Sequence, residues 1–445
     1  QGPGFSLDGG LDLDPGAGLL RGRLHADMRS PDLLRSLPGR ITRGAASLDP
    51  ALDSKNATQA ADLNLALRKL AGTSLRLESL DAAAGLDDLR GRTAGTVQLS
   101  GRGLSLAGLD LEEFAARAAG SRAAARFTAS ARGKAGRPLD LAARGGLAGE
   151  GLLHLGLEAL SGSWDGRPIA LAAPADLDIG ADSLAVRGLD LDLAGGRITA
   201  AGSVTPAGAD LTATARDLPL RLAAFLLPLP LDGRADAEFK ARGAATDPDL
   251  SLDLSLRRVA RAGQDKTDPV LDLRAKARLH AGRLQVDAGL EGLGPAPLDL
   301  SANLPLRCTL RPWSFELPPG TLSGTLRGEA DPALLARFAD LSGHALAGRT
   351  VLDLALSGTP EAPALDGSVQ LTGGRYENAY LGLLLTDLTA RLAARGSRLE
   401  LGELRAAGPE AGRLAGSGIL ELDPDRGFPY RLDLNLDKLA VVRRD

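Results

Sequence analysis

Apolar and polar residues alternate one by one over most of this chain. Leucine stands at every second place in Leu189, Leu191 and Leu193, in Leu250, Leu252, Leu254 and Leu256, in Leu352, Leu354 and Leu356, and in Leu432, Leu434 and Leu436. Asp, Ser, Ala or Asn fills the places between them. In a strand this period sends the leucines to one face and the polar residues to the other, whereas a helix would scatter the same leucines around its circumference. The pattern therefore predicts strands throughout, with one apolar and one wet sheet face. Strand starts share a turn signal, because Gly196-Arg197, Gly282-Arg283 and Gly412-Arg413 each open an alternating run.

The pattern also repeats on a longer scale. A Gly followed five residues on by Pro and then by alternating leucines occurs at Gly133/Pro138, Gly243/Pro248 and Gly358/Pro363, at intervals of 110 and 115 residues. Gly233-Arg234 and Gly348-Arg349 each precede the repeat Gly by 10 residues. Self-similarity at a fixed interval predicts one unit stacked on itself. The predicted fold is mainly all-β, an elongated repetitive antiparallel groove or solenoid with short helical inserts. Its segments are 1–109, 110–216, 217–330 and 331–445. Inserts are predicted at Ser30–Leu37, at Asp110–Phe127, at Leu220–Leu227, and at Pro332–Phe338 behind Asp331 as N-cap.

Composition refines this picture. Gly (56) and Pro (26) are spread along the whole chain, as recurrent turns require, and the 44% apolar share is that of a folded protein. That share is mostly Leu and Ala with only 3% aromatic residues, so propensity favours helix and periodicity must arbitrate. The 52 basic and 56 acidic residues are interleaved, which leaves no basic stripe for nucleic acid. A single cysteine, Cys308, excludes an internal disulfide framework. The longest apolar stretch, Leu218–Leu231, is short and carries Arg221 and three prolines, so it does not read as a membrane span. The chain begins at Gln1 and its only methionine is Met28, which reads as a fragment lacking an N-terminus that would hold a signal peptide or an anchor.

Catalytic chemistry finds little purchase. His25, His154, His280 and His344 stand far apart without metal-ligand spacing, and no nucleophile elbow, Walker loop, dinucleotide fingerprint or H-E-x-x-H motif is present. The pairs Asp12/Asp14, Asp176/Asp178 and Asp190/Asp192 read as a solvated sheet face rather than as calcium ligands or glycosidase carboxylates. No catalytic residue, metal or cofactor is assigned, and the chain reads as a non-enzyme. The leucine face is left to explain. Either it packs against another apolar face as a core, or it stays open as a groove for an apolar ligand.

Gly358, Thr359, Pro363, Leu365, Gly367 and Leu371, then Gly374-Arg375-Tyr376-Glu377-Asn378, Leu381-Gly382 and Asp387-Leu388-Thr389-Ala390-Arg391-Leu392, form a specific string. It resembles the conserved region of the TamB (translocation and assembly module) family within the AsmA-like group of bridge-like lipid transfer proteins. Trp164–Pro174 and Asp217–Leu220 resemble other phrases of that family. The resemblance implies an open β-groove, a β-taco, spanning the periplasm and tethered to the inner membrane through an N-terminal anchor. It implies phospholipid acyl chains as cargo for outer-membrane biogenesis, and a BamA-type outer-membrane barrel protein (TamA-like) as partner. A groove assisting the assembly of outer-membrane barrels or autotransporter secretion is the main alternative, and a structural or adhesive solenoid a further one. Gly358, Pro363, Gly374, Arg375, Tyr376, Asn378, Gly382 and Asp387 are expected to be structural, with Gly374–Asn378 as a turn that sets register.

Overall fold

The computed structural model describes residues 4–439 apart from 30–40, 56–57, 74, 90–92, 107, 122, 150, 226–230, 264–269, 311–312, 337–342 and 424–425. Nearly all of them lie in antiparallel strands. The chain forms two compact units, residues 1–203 with 213–228, and 204–212 with 229–445.

The first unit begins with β1 (Phe5–Asp14), β2 (Leu19–Met28), β3 (Arg43–Lys55), β4 (Thr58–Ala71), β5 (Leu75–Asp87), β6 (Ala94–Leu106) and β7 (Leu109–Ser121). It continues with β8 (Ala124–Ala135), β9 (Arg137–Ala148), β10 (Leu153–Trp164), the short β11 (Arg167–Leu171) and β12 (Ala175–Ile179), and β13 (Leu184–Leu193). Each strand from β1 to β10 pairs with the next in sequence, and β11 and β12 lie end to end between β10 and β13. The residues of β14 (Gly196–Thr205) and β15 (Gly208–Pro219) are divided between the units.

The second unit holds β16 (Leu231–Ala244), β17 (Asp247–Arg261), β18 (Leu271–His280), β19 (Arg283–Glu291), β20 (Leu298–Pro305), β21 (Arg307–Leu310) and β22 (Trp313–Glu316). After them come β23 (Ser323–Ala330), the helix α1 (Pro332–Leu335), β24 (His344–Gly358), β25 (Pro363–Asn378), β26 (Leu383–Arg395), β27 (Arg398–Ala407), β28 (Arg413–Glu421) and β29 (Tyr430–Asp437). The ladder runs in sequence order except that β20 pairs directly with β23, which leaves β21 and β22 as a separate hairpin.

The repeated phrase turns out to be one hairpin used three times, eight strands apart. Gly133, Gly243 and Gly358 lie in or at the end of β8, β16 and β24, and the following Pro lies in the opening residues of β9, β17 and β25. Gly233 and Gly348 both sit at β-bulges, with φ of 133° and 136°, where the register shifts between residues 232 and 234 and between 347 and 349. The expected boundary at 110 falls within β7, and that at 331 falls in the connection between β23 and α1.

Helical inserts fare unevenly. Asp331 caps α1, accepting a hydrogen bond from the Ala333 amide at 2.9 Å with Pro at the first turn. The Leu220 insert is a 3-10 segment, Leu220–Phe225. Asp110–Phe127 is not helical: it belongs to β7 and the start of β8, where Phe114, Ala116 and Ala118 alternate with Ala115, Arg117 and Ala119. Alanine on both faces hides the period of two, and helix propensity loses to ladder pairing on both sides. The Ser30–Leu37 insert lies outside the described residues.

Gly374–Asn378 is likewise strand, not turn. It forms the end of β25 beyond a bulge at Gly373 (φ 57°), and the turn proper follows it, where Asn378 Oδ1 accepts from the Tyr380 and Leu381 amides at 3.0 Å each. Asn378 is buried in doing so.

Candidate apolar groove

Register decides which side chains share a face, because directly paired residues in an antiparallel ladder point the same way. In the first unit the chain of partners Leu7, Ala26, Leu48, Leu65, Ala82, Leu99, Ala116, Ala129, Ala143, Leu160 crosses ten strands, β1 to β10, without a charge. Ala237, Leu254, Ala275, Ala288, Leu300, Leu326, Leu354 and Gly367 make the matching row from β16 to β25. On the opposite face Asp49, Asn64, Ala83, Gln98, Arg117, Thr128 and Arg144 pair in turn, and ion pairs such as Arg327–Asp353 (2.8 Å) and Arg132–Asp140 (3.2 Å) link neighbouring strands.

A packed core would bury these rows. They are not buried. Of the ten residues in the first row only Ala26 is, and no leucine of the second row is; Leu300 keeps 40% of its surface exposed. Leu189, Leu191, Leu193, Leu250, Leu254, Leu256, Leu352, Leu354 and Leu356 are all half-buried, Leu252 reaches 36%, and Leu432, Leu434 and Leu436 on β29 are exposed. All thirteen candidates lie on strands, and within β17, β24 and β29 the register aligns them with Leu, Val, Ala, Gly or Phe partners.

Burial concentrates instead off these rows, mostly toward strand ends, with Leu371 and Leu388 as mid-strand exceptions. Leu70, Leu77, Ala46 and Ile41 form one sealed cluster, Ala135, Trp164, Ile169 and Ala194 another, and Leu371, Leu385, Leu388, Ala406 and Leu414 a third. Sequence reading missed the device that separates these clusters from the open rows. In β4, β5, β6 and β7 the inward phase jumps by three residues, from Leu67 to Leu70, Leu77 to Leu80, Gly101 to Leu104 and Leu111 to Phe114, and the jumps are paired across the strands. Lys69 and Gly103, with φ of 51° and 63°, mark this crease. The signal was the spacing Leu-x-x-Leu inside an otherwise alternating run. Beside the crease lies a hollow of about 710 Å³ lined by Leu70 and Leu77 together with Arg43, Arg68, Arg76 and Glu78.

The polar face offers ion pairs rather than poised catalysts. Asp178 is bridged by both guanidinium nitrogens of Arg187 (2.6 and 3.0 Å) and by His154 Nδ1 (2.6 Å), and these partners, Arg187 first, hold its pKa down at about 2. Arg197 does the same for Asp190, lowering its pKa. Asp12, Asp14, Asp176 and Asp192 lie on strands of the same meander, and Asp14 Oδ1 accepts from the Gly16 amide at 2.9 Å. Of the histidines, His25 and His280 also meet aspartates, Asp49 and Asp249, while His344 meets the Tyr376 hydroxyl at 2.7 Å. A hollow of about 490 Å³ on this face, lined by Asn64, Gln98, Arg117, Thr128 and Ser130 together with Leu65, Leu99 and several alanines, includes Asp49 and Asp81, each already paired, with His25 and Arg68. Among the described residues no three His, Cys, Asp or Glu gather as a metal ion requires, and no helix is long and apolar enough to cross a membrane.

The remaining family-motif positions have structural settings. Gly358 (φ 91°) ends β24, Pro363 opens β25, Arg375 faces Glu377 at 3.4 Å, Gly382 (φ 63°) precedes β26, and Asp387 (φ 52°) sits at a bulge in β26. No protein-family model, no curated protein and no solved structure matches the chain.

Proposed function

We propose that the leucine face is a groove that carries phospholipid by its acyl chains, in the periplasm and toward the outer membrane, as the resemblance to the TamB family implies. The observation that carries this reading is the pair of uncharged rows, one across ten paired strands and one across eight, whose leucines are left partly or fully exposed. Exposing an acyl chain costs about 0.8 kcal/mol per CH₂, so a chain of about sixteen carbons faces a barrier above roughly 10 kcal/mol without cover. A continuous apolar strip removes that barrier and needs no catalytic group. Runs of slim residues such as Ala116, Ala129 and Ala143 leave volume over the strip, while headgroups remain in water. Within the reading, a BamA-type barrel protein is the acceptor-side partner and an N-terminal segment supplies the inner-membrane tether.

The test uses β17. Photo-crosslinking side chains at Leu250, Leu252, Leu254 and Leu256 are expected to capture phospholipid, and those at Ser251, Asp253 and Ser255 are not. Leu254→Arg is expected to abolish capture while far-ultraviolet circular dichroism stays unchanged, because a half-exposed arginine reaches water. Unfolding by Leu254→Arg with no lipid adduct at any of the seven positions would show a packed core. Peptide adducts in place of lipid would favour a chaperone for barrel strands.

A further inference from the structure

The β21–β22 hairpin is amphipathic and only half seated. Its register pairs Cys308 with Phe315 and Leu310 with Trp313, so these four share one face, while Arg307 with Glu316 and Thr309 with Ser314 share the other. The polar face is satisfied internally, by an Arg307–Glu316 ion pair at 3.5 Å and a Thr309–Ser314 hydroxyl bond at 2.8 Å. The apolar face is turned to the sheet. Cys308 and Leu310 are 2% and 1% exposed against Ala241 and Leu279, with Phe239, Leu250 and Leu284 beside them, and the Leu310 amide donates to the Ala245 carbonyl at 2.8 Å. Trp313 and Phe315, on that same face, are 60% and 62% exposed, with ring centroids 6.0 Å apart.

A two-stranded hairpin is not stable alone, so the seating of β21 holds this one in place. The aromatic pair adds nothing to that seating. Two large rings turned toward an apolar sheet face yet left wet mark a place for an apolar guest. The sheet face on which β21 sits carries Phe239, Leu250 and Leu252, and two residues further along β17 it carries Leu254 of the uncharged row; Leu252 and, in that row, Leu300 are exposed, so the guest the rings share with the sheet is the one that lies along this face.

The geometry points to the β21–β22 hairpin as a clasp in which Trp313 and Phe315 close over an acyl chain of a phospholipid lying on the leucine face. This rests on the lipid-groove reading above. The clasp is a noncovalent contact, made by two rings over methylene groups, and leaves the headgroup free.

The chain holds two tryptophans, and they suit a quenching experiment, since Trp164 is 2% exposed and donates through Nε1 to the Ala135 carbonyl at 3.0 Å. The full chain is loaded with phosphatidylglycerol carrying brominated acyl chains, separated from vesicles, and compared with Trp313→Phe. The expected result is loss of most of the emission that Trp313→Phe removes, read as the difference between the two chains because Trp164 packs against Leu160, Leu191 and Leu193 of the same leucine face. Unquenched Trp313 emission alongside lipid adducts at Leu254 would overturn the clasp and leave the groove standing. No lipid bound at any position would overturn both. Quenching that occurs with intact vesicles and vanishes on separation would make the aromatic pair a membrane-surface contact, which also overturns the clasp.

Discussion

At the residue scale the string from Gly358 to Leu392 reads as backbone engineering. A Cβ on Gly374 would stand 3.0 Å from both the Leu388 Cβ and its carbonyl oxygen, and 3.2 Å from Leu371. Gly374→Val is therefore expected to cost about 1–3 kcal/mol, read as a lowered urea midpoint. Tyr376→Phe removes only the hydroxyl bond to His344 and is expected to cost about 0.5–1.5 kcal/mol, with lipid capture unchanged. The Asp178 cluster predicts acid behaviour. Its folded pKa of about 2 lies below the ordinary carboxylate value near 3.9, so its contribution is complete above that value and fades as pH falls toward 2. Asp178→Asn should lower the melting temperature at pH 7 and flatten its slope between pH 4 and 2. His25 works in the opposite sense, because its protonated ring donates a hydrogen bond to the Asp49 carboxylate, which raises its pKa. Its contribution is present below about pH 6.5 and fades as pH rises through the raised value, so His25→Asn should flatten stability across that interval.

At the element scale, strand identity was legible wherever leucine alternated with Asp or Ser, as in β17, because only a period of two puts Leu250 to Leu256 on one side. It was illegible in β7, where alanine serves both faces. The Leu-x-x-Leu spacing carried no reading in the sequence, because a crease in which the inward residues jump by three is recognisable only when the partner strand jumps at the paired position too. The bulges explain why Gly-Arg recurs ten residues before the repeat Gly. Gly348, at φ 136°, would place a Cβ 2.8 Å from the Gly374 Cα, and Gly233 has nearly the same φ. Gly348→Ala and Gly233→Ala should each cost about 1–3 kcal/mol and raise amide exchange in β24 and β16 respectively. Gly396→Ala, at φ 63° with open space around it, should cost about 1 kcal/mol and leave exchange in β24 and β16 unchanged.

At the scale of the whole molecule, each of the two units leaves an apolar row uncovered, one across ten paired strands and the other across eight. Stability resides in ladder hydrogen bonds and in the sealed clusters off the uncharged rows, so the leucines of those rows are free to serve something other than folding. That division predicts an uncommon response to enlargement. In a packed core, Ala129→Leu would force its neighbours apart and destabilise by about 1–3 kcal/mol. On an open strip it adds a β-compatible side chain beside Ala116 and Ala143, where nothing must move, so the melting temperature should hold or rise. The same substitution fills volume that an acyl chain would occupy, so lipid recovered per protein should fall. Ser130→Leu, one residue along and on the polar face, should leave lipid recovery unchanged. Stability and capacity would then move independently at Ala129, which a core position does not allow. A loss of both together at Ala129 would return the leucine face to the role of ordinary packing.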